Sequence, residues 1–474
     1  MINKKAKIVA TLGPASAHYE TMYEMVQEGV NVFRINFSHG DHKTHRETMR
    51  IVKQINEKHD LNIATLADLQ GPKLRVGVVE EGAVVNPGDR VEFTNVECEG
   101  TAKKVFMTYE HFARDVKEGE RILLDDGKLI MKVVSTDNTS TVIAEVIQGG
   151  PLKSKKGVNL PNTQVSLPCL TPKDLADLVV ALEEGAEWIG LSFVRSAQDV
   201  IDLKKVIKES GYMAHVISKI EKPEAVEDID SILEATDGVM VARGDLGVEV
   251  PMQSVPLVQK MIVRKAHEKS VPVIIATQMM ETMIESMSPT RAEVNDVANS
   301  VLDGADAMML SGETSVGNYP VEVIRAMTKI IVHTEESSTI NAYGDNEPMD
   351  RNKRFITDSI CYNASKIADQ ISAKAILTLT FSGYTAFKIS AHRPKTNILV
   401  FTANRAILNT LSLIWGVKGY FYDSLISTDN TFKDLSEIIK EKGLAKSGDS
   451  VIKIASMPIT EKGMTNTLKI EVIK

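Results

Sequence analysis

Lys219 and Glu221 stand two residues apart where the apolar run His215–Lys219 gives way to Lys222-Pro223. On a strand, residues two apart face the same side, so the ammonium and the carboxylate leave the strand end together. An isolated Lys–Glu pair is ordinarily a solvated ion pair. A second run, Gly238–Ala242, ends in Arg243-Gly244-Asp245-Leu246-Gly247. Its glycines permit close backbone approach to a ligand, although a glycine motif alone reads as a tight turn. With the two runs as neighbouring strands, Asp245 falls beside Glu221. Two converging carboxylates with an adjacent lysine suit a hard cation. Mg2+ takes one or two carboxylates and completes its octahedron with substrate oxygens and water.

Other run ends carry related chemistry. In Phe33-Arg34-Ile35-Asn36-Phe37-Ser38-His39-Gly40 the residues Arg34, Asn36 and Ser38 alternate and share one face. Arg34 suits bidentate phosphate binding; His39 alone is more often structural. Thr277, in Ala276–Met279, and Ser311, in Leu310–Thr314, offer hydroxyls to a small substrate, or plain helix caps. The Met279-Met280 and Met308-Met309 pairs read as core packing. Together Arg34, Lys73, Arg75, Lys219 and Arg243 would gather positive charge at one mouth, as polyanionic substrates require.

These residues need a scaffold that brings run ends together. Eight β-branched or apolar runs are each followed by a helical stretch: Lys7–Thr11, Val32–Asn36, Ile63–Asp68, Trp188–Phe193, His215–Lys219, Gly238–Ala242, Val271–Thr277 and Ala307–Ser311. That alternation predicts an α/β chain built on a (β/α)8 TIM barrel, with its chemistry at the C-terminal strand ends. One helix is well punctuated: Thr171 as N-cap, Pro172 at the first position, an acid at Asp174, and Gly185 just past the end. Leu175, Leu178, Val179 and Leu182 predict its buried stripe.

The alternation breaks between Gln70 and about Leu167. Short β runs (Arg90–Thr94, Arg121–Leu124, Thr141–Val146) and turns at Asn86-Pro87-Gly88 and Asp126-Gly127 predict a small all-β insert. Asn341–Arg351 reads as a linker into an open α/β domain with strands at Ala375–Thr380, Asn397–Thr402, Ser450–Ala455 and Thr467–Ile473. The expected division is 1–69 with 168–340 for the barrel, 70–167 for the β-barrel lid, and 341–474 for the C-terminal domain. After Ala375–Thr380, the segment Thr380-Phe-Ser382-Gly383-Tyr-Thr385 opens a helix; it is either an anion site or a plain capped turn.

Composition narrows the class. The chain has 474 residues and a net charge of −8, a poor basis for nucleic-acid binding. Cys98, Cys169 and Cys361 are far apart and fit reduced thiols in a cytoplasmic protein. The segment Met1–Lys7 has no apolar signal region, and no apolar run approaches the roughly 18 residues of a membrane span.

The blocks resemble the pyruvate kinase family. Ile217-Ser-Lys219-Ile-Glu221 is similar to its signature. Thr11–Ser16, Arg34–Gly40, Lys155–Pro161, Val241–Gly247, Ala276–Met279 and Leu310–Thr314 resemble its other blocks, in the family's order. The resemblance implies phosphoryl transfer from phosphoenolpyruvate to ADP, giving pyruvate and ATP with Mg2+ (or Mn2+). It implies that Lys219 steadies the phosphoryl group and the enolate oxygen, that Glu221 and Asp245 hold the metal, and that Arg34 binds phosphate. Gly244, Asp245 and Thr277 would position phosphoenolpyruvate; Asn36, Ser38, His39, Arg75 and Lys156 would approach the nucleotide. A water relay near Thr277 and Ser311 is the expected proton source. The insert becomes a lid. The family's K+ site maps to Asn36, Ser38, Asp68 and Leu69, but Lys73 stands where many members carry an acid. Its ammonium is expected to supply the charge, so K+ is not required. Thr380, Ser382, Gly383 and Thr385 map to the family's effector site, for a sugar phosphate or nucleotide monophosphate, and the family implies a homotetramer. The block Lys155–Pro161 and the insert argue against another Mg2+-dependent enolate barrel, such as an aldolase or a phosphoenolpyruvate mutase. The presence of Lys219, Arg34 and both carboxylates argues against a non-catalytic sensor.

Overall fold

The computed structural model describes residues 4–336, 353–459 and 463–474. The expected linker Asn341–Arg351 lies outside them. Eight parallel strands close into a barrel: β1 (Lys7–Thr11), β2 (Val32–Asn36), β3 (Ala64–Asp68), β4 (Trp188–Leu191), β5 (His215–Ile220), β6 (Gly238–Ala242), β7 (Val273–Ala276) and β8 (Ala307–Leu310). Both faces of such strands are covered, which is why they read as unbroken apolar runs. Alternate residues divide the faces. Val9, Val32, Leu66, Trp188, Ile217, Met240 and Ile274 fall in one buried cluster, while Ile8, Phe33, Ile189, Val216, Val239 and Ile275 pack in another with the helices. Both methionine pairs are buried, as expected.

Helix α1 (Pro172–Glu183) starts as read, with a Thr171/Asp174 capping box and Pro172 in the first turn. Gly185 follows it at φ +69°, the left-handed conformation that favours glycine. The buried stripe is not the one expected. Leu178 and Leu182 are buried, but Leu175 and Val179 are 41% and 52% exposed. The inward face instead takes Asp174 and Asp177. Each acid has partners that offset its desolvation: Asp174 accepts from the backbone N–H of Gly71 at 2.9 Å, and Asp177 receives His42 at 2.7 Å and Lys173 at 2.5 Å. Lys173 also donates to the Phe37 carbonyl. Side-chain hydrophobicity therefore mispredicts the helix's rotation, because polar bonds to the loops after β2 and β3 set it.

Between β3 and α1 runs an insert with a six-stranded sheet: Arg90–Thr94, Lys104–Phe106, Arg121–Leu124, Leu129–Thr136, Thr141–Gln148 and Val158–Asn159. Its own apolar core includes Phe93, Phe112, Ile122, Met131 and Val142. The C-terminal sheet has the order β11 (Val417–Phe421), β10 (Asn397–Thr402), β9 (Ala375–Leu379), β12 (Ser450–Ala455), β13 (Thr467–Val472), parallel except for β13. The edge strand β11 escapes sequence reading because Val417-Lys-Gly-Tyr-Phe421 is only half buried and carries Gly419. This domain docks on the barrel floor, where Ile376, Ile398 and Ile414 join the barrel-interior cluster. Arg393, buried, reaches both carboxylate oxygens of Asp306 at 3.1 and 2.9 Å across that joint. Among the described residues no helix is long and apolar enough to cross a membrane.

Candidate active site

The strand ends converge as the topology requires, since β2 neighbours β3 and β5 lies between β4 and β6. Lys219 Nζ lies 2.9 Å from Glu221 Oε1, 3.2 Å from Asp68 Oδ1 and 2.6 Å from Ser192 Oγ. Asp68 also receives Arg34, with Nε 2.7 Å from its Oδ2, and Arg34 Nη1 donates to Thr11 Oγ1 at 3.0 Å. Glu221 Oε2 accepts from the Phe193 backbone N–H at 2.8 Å. Five strand ends, β1 to β5, thus form one buried network of ion pairs and charge-assisted hydrogen bonds.

Its electrostatics are unbalanced. Burial opposes ionisation of Asp68, yet the charges of Lys219 and Arg34 outweigh it and hold the carboxyl below its usual range. Burial likewise opposes the charge on Lys219, and Asp68 and Glu221 outweigh it, raising its pKa. Glu221 is pushed up, first by burial and then by the nearby charge of Asp245, against the pull of Lys219. Two cations, Arg34 and Lys219, face three carboxylates, Asp68, Glu221 and Asp245. The surplus negative charge sits on the Glu221–Asp245 side, where a divalent cation would relieve it. Among the described residues no group of three or more His, Cys, Asp or Glu side chains could hold a metal. A two-carboxylate site that relies on substrate oxygens is compatible with that.

Helix α2 (Arg243–Glu249) begins at the end of β6, with Asp245 in its first turn. The Gly244 N–H donates to Thr277 Oγ1 at 2.7 Å. Thr277 and Gln278 both have positive φ, 68° and 54°, a conformation costly for non-glycine residues. Arg243 offsets this: it grips Asp296 with two bonds of 2.7 Å and the Thr277 carbonyl at 2.8 Å. The expectation that Arg243 adds free charge to the mouth is therefore corrected. Its charge is neutralised by Asp296, and the guanidinium braces the Thr277 turn. At the end of β8, the Ser311 N–H donates to Glu313 Oε2 at 2.7 Å.

A cleft separates the insert from the barrel mouth, lined in part by Lys73, Asp126, Asn159, Phe193, Lys222 and Asp245. On the insert side, Arg75 donates to the Lys155 carbonyl at 3.0 Å and Lys156 pairs with Asp125 at 2.8 Å. After β2, Asn36 Oδ1 accepts from the Ser38 N–H, and the His39 N–H donates to the Asn36 carbonyl. The residues mapped to the K+ site are differently engaged. Arg34 and Lys219 occupy Asp68, and the Leu69 carbonyl accepts from Ser192 Oγ at 2.7 Å. Lys73 is exposed on the cleft wall and is not among the partners of Asp68. In the C-terminal domain, Thr380 Oγ1 accepts from the Gly383 N–H, and buried Thr385 bonds Thr378. Both hydroxyls serve the turn, while Ser382 is exposed.

Sequence reading missed Asp68 as the hub joining Arg34 to Lys219, and it missed Ser192 and Thr11 altogether. The available signal for Asp68 was an acid closing the apolar run Ala64–Asp68, as Glu221 closes another. Ser192 and Thr11 give no such signal, because a hydroxyl at a strand end is common.

Comparison with known proteins gives one answer along the whole chain. Residues 3–324 match the family model "Pyruvate kinase, barrel domain", and residues 358–471 match "Pyruvate kinase, alpha/beta domain". A pyruvate kinase of Corynebacterium glutamicum is 42% identical, covering 100% of this chain and 98% of the relative. One of Mycobacterium tuberculosis is 41% identical, covering 99% and 98%. The crystal structure of a pyruvate kinase from Cryptosporidium parvum superposes with a TM-score of 0.93 at 32% identity, over 99% of this chain and 96% of that one. Family models across both domains and full-length relatives at this identity leave a single conclusion: the chain belongs to the pyruvate kinase family and is a phosphotransferase.

Proposed function

We propose that the network at the barrel mouth binds phosphoenolpyruvate with one Mg2+ and delivers its phosphoryl group to ADP, the reaction of the family. The observation that carries this reading is Lys219 paired with both Asp68 and Glu221, with the charge of Asp245 close to Glu221. Arg34 and Lys219 supply fixed cationic donors for the phosphoryl oxygens, and Lys219 also faces the oxygen that becomes the enolate. The Gly244 N–H region and Thr277 orient the carboxylate end. Glu221 and Asp245 would hold the Mg2+, which neutralises phosphoryl and enolate charge when bound. The chain contributes positioning and electrostatics, which is what phosphoryl transfer demands. Asn36, Ser38, His39, Arg75 and Lys156 are assigned to the nucleotide, with the insert as a lid that excludes water. Protonation of the enolate carbon is assigned to water held near Thr277 and Ser311.

A coupled assay for pyruvate with phosphoenolpyruvate, MgCl2 and ADP tests the reading: turnover that requires all three supports it, and its absence sinks it. Lys219→Met removes a donor preorganised for the transferring group, so turnover should fall at least about 10²–10³-fold; wild-type turnover would defeat the mechanism.

K+ independence is also proposed. Asp68 already faces two side-chain cations, and Lys73 adds an ammonium to the cleft, so a monovalent cation would enter against repulsion. Adding K+ at constant ionic strength should leave the rate unchanged; a large increase contradicts this. A homotetramer in the cytoplasm, with contacts through the barrel and C-terminal domains, is proposed from family membership. A phosphorylated effector at Ser382 and Gly383 is proposed on the same basis.

A further inference from the structure

The lid leaves the barrel after β3 and returns at α1, so both of its connections lie at one side of the mouth. Near that hinge, Arg195 donates to the lid-side carbonyls of Val165 and Leu167. The base of the lid makes a second tie, farther along the mouth. The segment Val158–Asn159 is bonded to the lid's exit, with the Val158 N–H donating to the Leu74 carbonyl at 3.0 Å, and from there it reaches α2, the helix after β6. There Asn159 Nδ2 donates to Glu249 Oε1 at 2.8 Å, and Lys222 Nζ donates to the same oxygen at 2.6 Å. The Glu249 side chain is 1% exposed and its Oε2 has no hydrogen-bond partner among the described residues. A buried carboxylate with one idle oxygen is a poor stability device. Its one used oxygen joins three parts: α2, which carries Asp245; the loop following Glu221; and the lid segment Val158–Asn159. Asn159, Lys222 and Asp245 all line the cleft.

We infer that Glu249 is a positioning residue for the reaction: a latch that holds the base of the lid against the cleft and ties its closure to the strand end bearing Lys219 and Glu221. The inference rests on the phosphoryl-transfer reading. Its consequence is water exclusion. With the latch open, water reaches phosphorus in place of the ADP oxygen. The bond from phosphorus to the enol oxygen then breaks, and phosphoenolpyruvate plus water becomes inorganic phosphate and pyruvate without ATP.

Swapping the charge across the contact tests it. Asn159→Asp sets a second carboxylate against Glu249, and the repulsion should raise amide exchange in residues 121–160 of the substrate-free protein at least about tenfold. It should also lower ATP formation on the order of 10²-fold and raise the ratio of inorganic phosphate to ATP. Asn159→Asp/Glu249→Gln restores one amide, one carboxylate and Lys222, and should return exchange and product ratio to near wild type. Wild-type exchange in Asn159→Asp would overturn the latch. So would a folded double variant that fails to recover. Exchange is read without substrate, and the wild-type pyruvate assay is read without variants, so failure of the latch is distinguishable from failure of the phosphoryl-transfer reading.

Discussion

Asp68 shows how one buried side chain organises two others. Its oxygens divide between Arg34 and Lys219, so the two groups assigned to the phosphoryl oxygens hold their spacing before any ligand arrives. Preorganised charge of this kind needs no reorganisation at the moment of reaction. Glu221 carries the complementary role. Burial raises its pKa, so its proton competes with a metal at higher pH than an ordinary glutamate near 4.3 would allow. A raised carboxylate pKa means the neutral form persists as pH rises and is lost only above the shifted value. The apparent Mg2+ affinity, measured by titrating MgCl2 in the pyruvate assay, should therefore fall as pH is lowered while still above the ordinary glutamate range. Glu221→Gln should bind Mg2+ weakly and without that pH dependence. A wild-type affinity that stays flat until the ordinary glutamate range is reached would contradict the assignment.

Elements translate such residues into a shape. The barrel strands were legible because burial on both faces writes continuous apolar runs, and their polar ends marked the site. Helix α1 was legible in its caps and misleading in its rotation, because Asp174 and Asp177 gain fixed partners that hydrophobic spacing does not register. Strand β11 was hidden by its half-exposed edge position. The bracing of the Thr277 turn by Arg243 was hidden too, since a cation beside Gly244 looks like a ligand group until Asp296 is seen to hold it. The Arg393–Asp306 pair is the element-scale contact with the largest predicted effect. Both side chains are nearly inaccessible, at 2% and 4% exposure. Arg393→Met leaves Asp306 buried without its cation, and should destabilise the chain by about 3–5 kcal/mol in urea unfolding. A loss below about 1 kcal/mol would show that the joint is not held by this pair.

At the scale of the whole molecule, four apolar clusters among the described residues are arranged around one cleft and one joint. The lid has its own apolar core and meets the barrel mouth through polar contacts, such as Asn159 to Glu249, while the C-terminal domain shares a buried apolar cluster with the barrel floor. Such polar contacts suit the insert to the lid role proposed for it, and the shared apolar cluster suits the floor to staying fixed. Order and class of these parts were readable from the alternation of runs and its break at Gln70. The contacts between parts were not, because single polar residues far apart in sequence make them. Glu221 and Asp245 are proposed to share one divalent ion beside Lys219. Mn2+ binding in the presence of phosphoenolpyruvate, followed by electron paramagnetic resonance, tests it most directly. One bound Mn2+ per chain is expected in the wild type, with affinity lowered at least about 10–100-fold in both Glu221→Gln and Asp245→Asn. Unchanged Mn2+ affinity in either variant would contradict it.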